Sequence, residues 1–252
     1  METETGVVAV DTPFTVSEAR ALRRELESLK KPLLAVLLTH AHPDHVNGTG
    51  ILRAGSKVPV VATEATLSNL RAIDGPKREY WKPKYGAEYP DSTVFPDRTV
   101  RDGEEVSFGG ARFRVVDLGS GESESQTAFI LDGKAAFVGD LVVNGVHAWL
   151  AEGRSRAWIG SLRGAQRQLT GVVTIYPGHG KAGGAEILET QVRYIETYRA
   201  AVKKLAAGGS VLDDAKKAAL EKQMDSAFPG AGLKMLVGFS ADAVARELAS
   251  EK

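Results

Sequence analysis

Leu33-Leu34-Ala35-Val36-Leu37-Leu38-Thr39-His40-Ala41-His42-Pro43-Asp44-His45 is the stretch whose reading decides the fold. Its first part is a continuous apolar run with the length of a fully buried strand, far below the ~20 residues of a membrane span. Its second part places three imidazoles and a carboxylate at that strand's C-terminal end. Side chains two apart on an extended chain point to one side, so His40 and His42 share a direction. Asp44 and His45 follow in the turn and can swing toward a second position nearby.

The 252 residues include five histidines and no cysteine. A thiol nucleophile, a disulfide scaffold and a cysteine-held metal are therefore excluded. Any metal must sit on nitrogen and oxygen, and neutral imidazoles with carboxylates suit zinc and neighbouring first-row ions. Thirty-two basic residues balance 32 acidic ones, which leaves no general attraction to nucleic acid or to an anionic membrane. Neither is expected as a partner, and a homo-oligomer stays open. The polar opening METETG has no signal-peptide pattern. The expected location is cytoplasmic as given, with secretion or the periplasm open if the N-terminus continues upstream.

Working outward, Gly6 to Asp11 reads as a buried strand that breaks at Asp11-Thr12-Pro13. Thr15 and Glu18 have capping-box spacing, and Val16, Ala19, Leu22, Leu26 and Leu29 form one helical stripe that ends at Pro32. A strand over 58–62 and a helix over 63–73 follow. Four prolines and Tyr80, Trp81, Tyr85 and Tyr89 then crowd 74–97, which reads as an irregular aromatic insertion and a candidate lid. Short strands at 105–108, 111–117, 127–131 and 135–138, with Gly109-Gly110 and Asp132-Gly133 between them, predict hairpins. Helices over 155–169 and 185–205 flank a strand at 172–176, and a helical tail starts near 211. Two rounds of strands, each followed by covering helices, with antiparallel hairpins between, predict an α/β four-layer αββα sandwich and a single domain over 1–252.

His40, His42, Asp44 and His45 complete the motif His-x-His-x-Asp-His, Gly139-Asp140 ends a strand, and His179 follows another in Tyr-Pro-Gly-His-Gly. In these motifs and their order, over about residues 7 to 205, the sequence resembles the metallo-β-lactamase superfamily of binuclear metallohydrolases. The resemblance implies that His40 and His42 bind one metal, that Asp44, His45 and His179 bind a second, and that Asp140 bridges them. Two zinc ions are the implied cofactors, with manganese or iron as alternatives. The family's third histidine at the first metal is replaced by Glu122, in Gly119-Ser120-Gly121-Glu122-Ser123. Glu122 is then a ligand, a proton carrier or a surface acid, and Glu124 is the competing ligand if the loop is shifted.

The implied reaction is hydrolysis of a small-molecule ester, lactone or lactam by a metal-held hydroxide, with Asp44 or Asp140 orienting the nucleophile. A glyoxalase II-like thioesterase is the alternative. From another class come a non-hydrolytic metal-binding protein and a mononuclear iron dioxygenase on the same scaffold. Asn144 and His147 lie close enough to Asp140 in sequence to face a substrate. No Gly-x-Ser-x-Gly elbow supports a serine hydrolase.

Overall fold

The computed structural model describes residues 1–251, which fall into two compact units. The first comprises Met1–Asp117 and Thr127–Gly139, and the second Leu118–Gln126 and Asp140 onward.

In the first unit, β1 (Val7–Val10), α1 (Val16–Ser28), β2 (Leu33–Leu37), α2 (Pro43–Val46), α3 (Thr49–Arg53), β3 (Val60–Thr63), α4 (Glu64–Tyr85) and β4 (Arg98–Val100) run in chain order. The four strands form one parallel sheet in the order β1-β2-β3-β4. Val10 stands opposite Leu37, so β1 and β2 end at the same level and their exits are neighbours. α1 starts at the anticipated capping box: the Thr15 hydroxyl accepts from Glu18 N, and Glu18 Oε2 accepts from Thr15 N. Its Ala19, with Leu52 of α3 and Leu70 of α4, covers one face of the sheet around Val36 and Leu38.

β5 (Glu105–Phe108), β6 (Ala111–Gly119), β7 (Gln126–Leu131) and β8 (Ala135–Phe137) follow in a second sheet, neighbours in the order β8-β7-β6-β5. The β5–β6 and β7–β8 pairs are antiparallel hairpins. Val8, Ala35, Leu37 and Val61 of the first sheet pack on Val106, Phe113, Val115 and Phe129 of the second. Each fully buried large apolar side chain there contributes about 1.5–3 kcal/mol.

The 74–97 segment corrects the sequence reading. α4 continues without interruption to Tyr85, through Pro76 and Pro83, because tertiary contacts outweigh the lost backbone bonds. Phe14 receives Trp81, Tyr85 and Tyr89 edge-on, at ring-centroid distances of 5.8, 4.8 and 5.6 Å. Arg78 donates to the Pro90 carbonyl and the Thr93 hydroxyl, and Lys82 donates to the Tyr89 carbonyl. The returning chain is thereby strapped to the helix, and three of the four rings expected to line a lid are packed around Phe14, while Tyr80 lies against Trp81.

The second unit holds β9 (Val143–Asn144), α5 (Ser155–Gln168), β10 (Thr174–Tyr176), β11 (His179–Gly180), α6 (Glu186–Ala206), α7 (Asp214–Ala227) and α8 (Met235–Ser250). α6 is central, packing on α5, α7 and α8, with Leu188, Ile195, Tyr198 and Val202 buried along it. β11 lies parallel to β9, with His179 opposite Val143. No described helix is long and apolar enough to cross a membrane.

Candidate metal centre

The first unit gathers His40, His42 and His45, each 5% exposed or less. The ring of His40 lies 5.2 Å from that of His42 and 4.1 Å from that of His45, centroid to centroid. Asp44 opens the short helix α2, and its Oδ2 lies 3.8 Å from His45 Nε2. At 39% side-chain exposure, Asp44 is the member of this group that solvent reaches.

What orients the imidazoles is Asp11, which the sequence reading treated only as a turn residue. Asp11 Oδ2 accepts from His45 Nδ1 at 2.9 Å and from the Thr39 hydroxyl at 2.7 Å, while Oδ1 accepts from Thr39 N at 2.8 Å. Because the Thr39 proton goes to Asp11, the 3.0 Å contact between Thr39 Oγ1 and His40 Nδ1 is read as His40 donating. Both rings thus carry their proton on Nδ1 and their lone pair on Nε2. A carboxylate or hydroxyl behind one ring nitrogen is the arrangement that fixes the tautomer of metal-binding histidines. Asp11 also forms a compact donor group with His40 and His45, one ligand atom from each lying within 4.8 Å of the others. Its oxygens already accept three hydrogen bonds, so we assign it to positioning the rings. The residue signal was a carboxylate at the end of a strand, Val7 to Val10, that pairs with the motif-bearing one.

In the second unit Asp140 sits in a tight 3-10 turn, Gly139–Leu141, 4% exposed. Its Oδ2 lies 3.5 Å from His179 Nε2. The Trp158 indole donates to the Leu141 carbonyl at 2.8 Å, pinning the residue after Asp140. Gly180 has φ +93°, and a Cβ there would overlap the Asn144 carbonyl, so only glycine lets β11 lie against β9 with His179 in this place.

Glu122 is 3% exposed. Its loop is held by Gly121 N donating to Ser123 O at 2.8 Å and the Ser161 hydroxyl donating to Ser120 O at 2.6 Å. Glu124 faces outward, its side chain 65% exposed and 3.5 Å from Arg154. Of the two acids weighed from sequence, Glu122 is the one turned inside.

Asn144 donates to the Lys181 carbonyl at 2.7 Å. His147 is buried, with Nδ1 2.9 Å from the Tyr194 hydroxyl and Nε2 3.4 Å from Asp225. Burial pushes its pKa below the usual histidine value, against the pull of Asp225. Both side chains are thus engaged in holding the second unit together.

Within the first unit His40, His42, His45 and Asp44 offer three buried imidazoles and a carboxylate, with two of the rings already oriented from behind. Such donors fit a divalent first-row metal ion.

Residues 1–181 match the family model of the metallo-beta-lactamase superfamily. Hydroxyacylglutathione hydrolase of Brucella anthropi is 28% identical over 202 residues, which are 79% of this chain and 65% of that protein. The alpha subunit of 2,4-dinitroanisole O-demethylase from a Nocardioides species is 30% identical over 150 residues, 58% of this chain and 40% of that one. The chain therefore spans less than two thirds of the length of either relative. A metallo-beta-lactamase family protein from Thermus thermophilus shares the fold at a TM-score of 0.70 and 21% identity, over 100% of this chain and 87% of that one. The α/β fold with mixed sheets is the one anticipated from the strand and helix pattern. Through the family match over residues 1–181 and this shared fold, the chain belongs to the metallo-beta-lactamase superfamily.

Proposed function

We propose that this chain is a metal-dependent hydrolase of a small-molecule ester, lactone or lactam. In this reading His40, His42 and Glu122 would hold one divalent ion, Asp44, His45 and His179 would hold a second, and Asp140 would serve both. Zinc is the first choice and manganese or iron the alternatives. The observation that carries the reading is the hydrogen-bond chain from His40 through Thr39 and Asp11 to His45. It holds both rings from behind their Nδ1 atoms, the arrangement that orients metal-binding histidines.

Bound divalent ions would supply Lewis acidity and water of lowered pKa. The chain's own part is to place the groups around them. Asp44, the exposed carboxylate of the motif, is the one positioned to orient a water and take its proton. Asp140, almost fully buried beside His179, is closed off from solvent and would serve to hold the ions. Glu122 in place of a histidine adds a third carboxylate, which favours a harder ion and weakens its pull on bound water.

Elemental analysis joined to a panel of chromogenic esters, lactones, β-lactams and thioesters tests the proposal. Two metals per chain, with hydrolysis of an ester, lactone or lactam lost on chelation and restored by the ion, is the expected result. A preference for thioesters would favour the second reading, which the relatives named hydroxyacylglutathione hydrolase support. One iron per chain with oxygen uptake would overturn the hydrolase assignment.

A further inference from the structure

Within the second unit, His179 stands in a glycine-rich loop, Tyr176-Pro177-Gly178-His179-Gly180-Lys181-Ala182-Gly183. Two reciprocal bonds close its base: Ile175 N donates to the Gly183 carbonyl at 2.7 Å, and Gly183 N to the Ile175 carbonyl at 3.0 Å. Glycines lose more conformational freedom on ordering than any other residue, so intrinsic preference does not hold His179 in one place. β11, to which it belongs, is two residues long and pairs with an equally short β9. So short a ladder is not stable by itself.

Asn144 grips this loop twice. Its carbonyl accepts from Lys181 N at 3.4 Å, and its side-chain Nδ2 donates to the Lys181 carbonyl at 2.7 Å. The main-chain bond is long and the side-chain bond short, so the side chain carries most of the clamp. Gly180, which lets the two backbones approach closely at the Asn144 carbonyl, brings Lys181 within reach of so short a side chain. Asn144 is itself well anchored: Val143 N donates to Oε1 of the buried Gln191 at 3.2 Å, and Gly232 N donates to the Gly145 carbonyl at 3.0 Å. A line of bonds thus runs from α6 through β9 to the residue two after His179.

We infer that Asn144 is a positioning residue for His179: by holding the Lys181 carbonyl, its side-chain amide keeps the imidazole beside Asp140, ready to share an ion with it. His179 Nε2 lies 3.5 Å from Asp140 Oδ2. Two nitrogen or oxygen ligands of one tetrahedral zinc stand about 3.3 Å apart, so the spacing held here is already close to the bound one. A looser loop would have to be ordered by the ion at the cost of affinity. The inference rests on the reading of His179 as a metal ligand, and it gives Asn144 a task in place of the substrate contact expected from its sequence position.

Zinc titration of the full chain against a chelator of known affinity, followed by the imidazole signals of histidine-labelled protein in NMR, tests it. His179→Ala and His42→Ala identify the two signals to be read. In Asn144→Ala and Asn144→Asp, zinc affinity read at His179 should fall about tenfold, while affinity read at His42, in the first unit, stays as in the wild type. Asn144→Asp separates position from charge: an added carboxylate would by charge alone tighten a cation, whereas the lost donor to Lys181 loosens it. Unchanged affinity at His179 in Asn144→Ala, or tighter binding there in Asn144→Asp, would overturn the inference. An equal loss at His42 would overturn it too, since Asn144 would then support the fold at large. A wild-type His179 signal that ignores zinc would overturn the ligand assignment itself, and the inference with it. If one variant does not fold, the other decides.

Discussion

Asp11 Oδ2 and His45 Nδ1 meet at 2.9 Å across a separation of 34 residues. The contact exists because β1 and β2 are parallel and end level, Val10 opposite Leu37, so the loops that leave them run side by side. A carboxylate behind a metal-binding imidazole is worth about 10–100-fold in metal affinity. Asp11→Asn is therefore expected to weaken metal binding by that order with the fold intact. Asp11 has φ +58°, a conformation asparagine tolerates, so backbone strain does not confuse the result. Competition with a chelator of known affinity measures it; unchanged affinity would remove Asp11 from the site.

The loop that carries Glu122 and Glu124 makes a paired prediction. Glu122→Ala should lose one equivalent of metal by elemental analysis, and Glu124→Ala none. Glu124 spends its charge at the surface on Arg154, where an ion pair contributes little. The reverse outcome would mean that the loop is turned the other way in the working protein.

Gly139 stands at φ +52°, and a Cβ there would overlap the Thr39 hydroxyl and press on His40 Nδ1. Gly139→Ala should destabilise the metal-free protein by about 1–3 kcal/mol, read by urea denaturation. Gly133→Ala is the comparison, since its φ is also positive, +69°, with nothing within 4 Å of the added carbon. A cost at Gly139 no larger than at Gly133 would show that backbone conformation, and not contact with Thr39, demands the glycine.

His147 predicts a pH dependence. Burial lowers its pKa in the folded chain below the usual histidine value, so the unfolded chain takes up the proton first. The stability that the neutral ring contributes is complete above about pH 6.5 and is lost as pH falls through the lowered value. Asp225, 3.4 Å from its Nε2, and Lys234 beside Asp225 pull in opposite directions. Denaturation midpoints of the metal-free chain should fall between pH 7 and 5, and the fall should be shallower in His147→Gln. Equal slopes would assign the loss to other groups.

The part of the site that was legible in sequence is the part made of neighbours. His40, His42, Asp44 and His45 lie within six consecutive residues at a strand's end, and Asp140 and His179 each follow a strand with a marking glycine beside them. The hairpins at Gly109-Gly110 and Asp132-Gly133 were legible for the same reason, as local turn chemistry. Asp11 was not, because its partner is reached only through strand pairing. α4 was misread beyond residue 73 because Pro76 and Pro83 argue locally against a helix. The forces that keep it come from Phe14, sixty or more residues earlier. Glu122 and Glu124 differ in sequence by one serine, and only the folded loop tells which is buried.

The level ends of β1 and β2 would couple a bound ion to a strand that contributes none of the proposed ligands. An ion held by His45 would favour its oriented form, and that orientation needs Asp11 seated at the end of β1, so binding free energy would go into keeping β1 docked. Amide exchange at Val8, Ala9 and Val10 should slow when metal is added. A titration of the ion then reads, as a number, how firmly the first strand of the sheet is held.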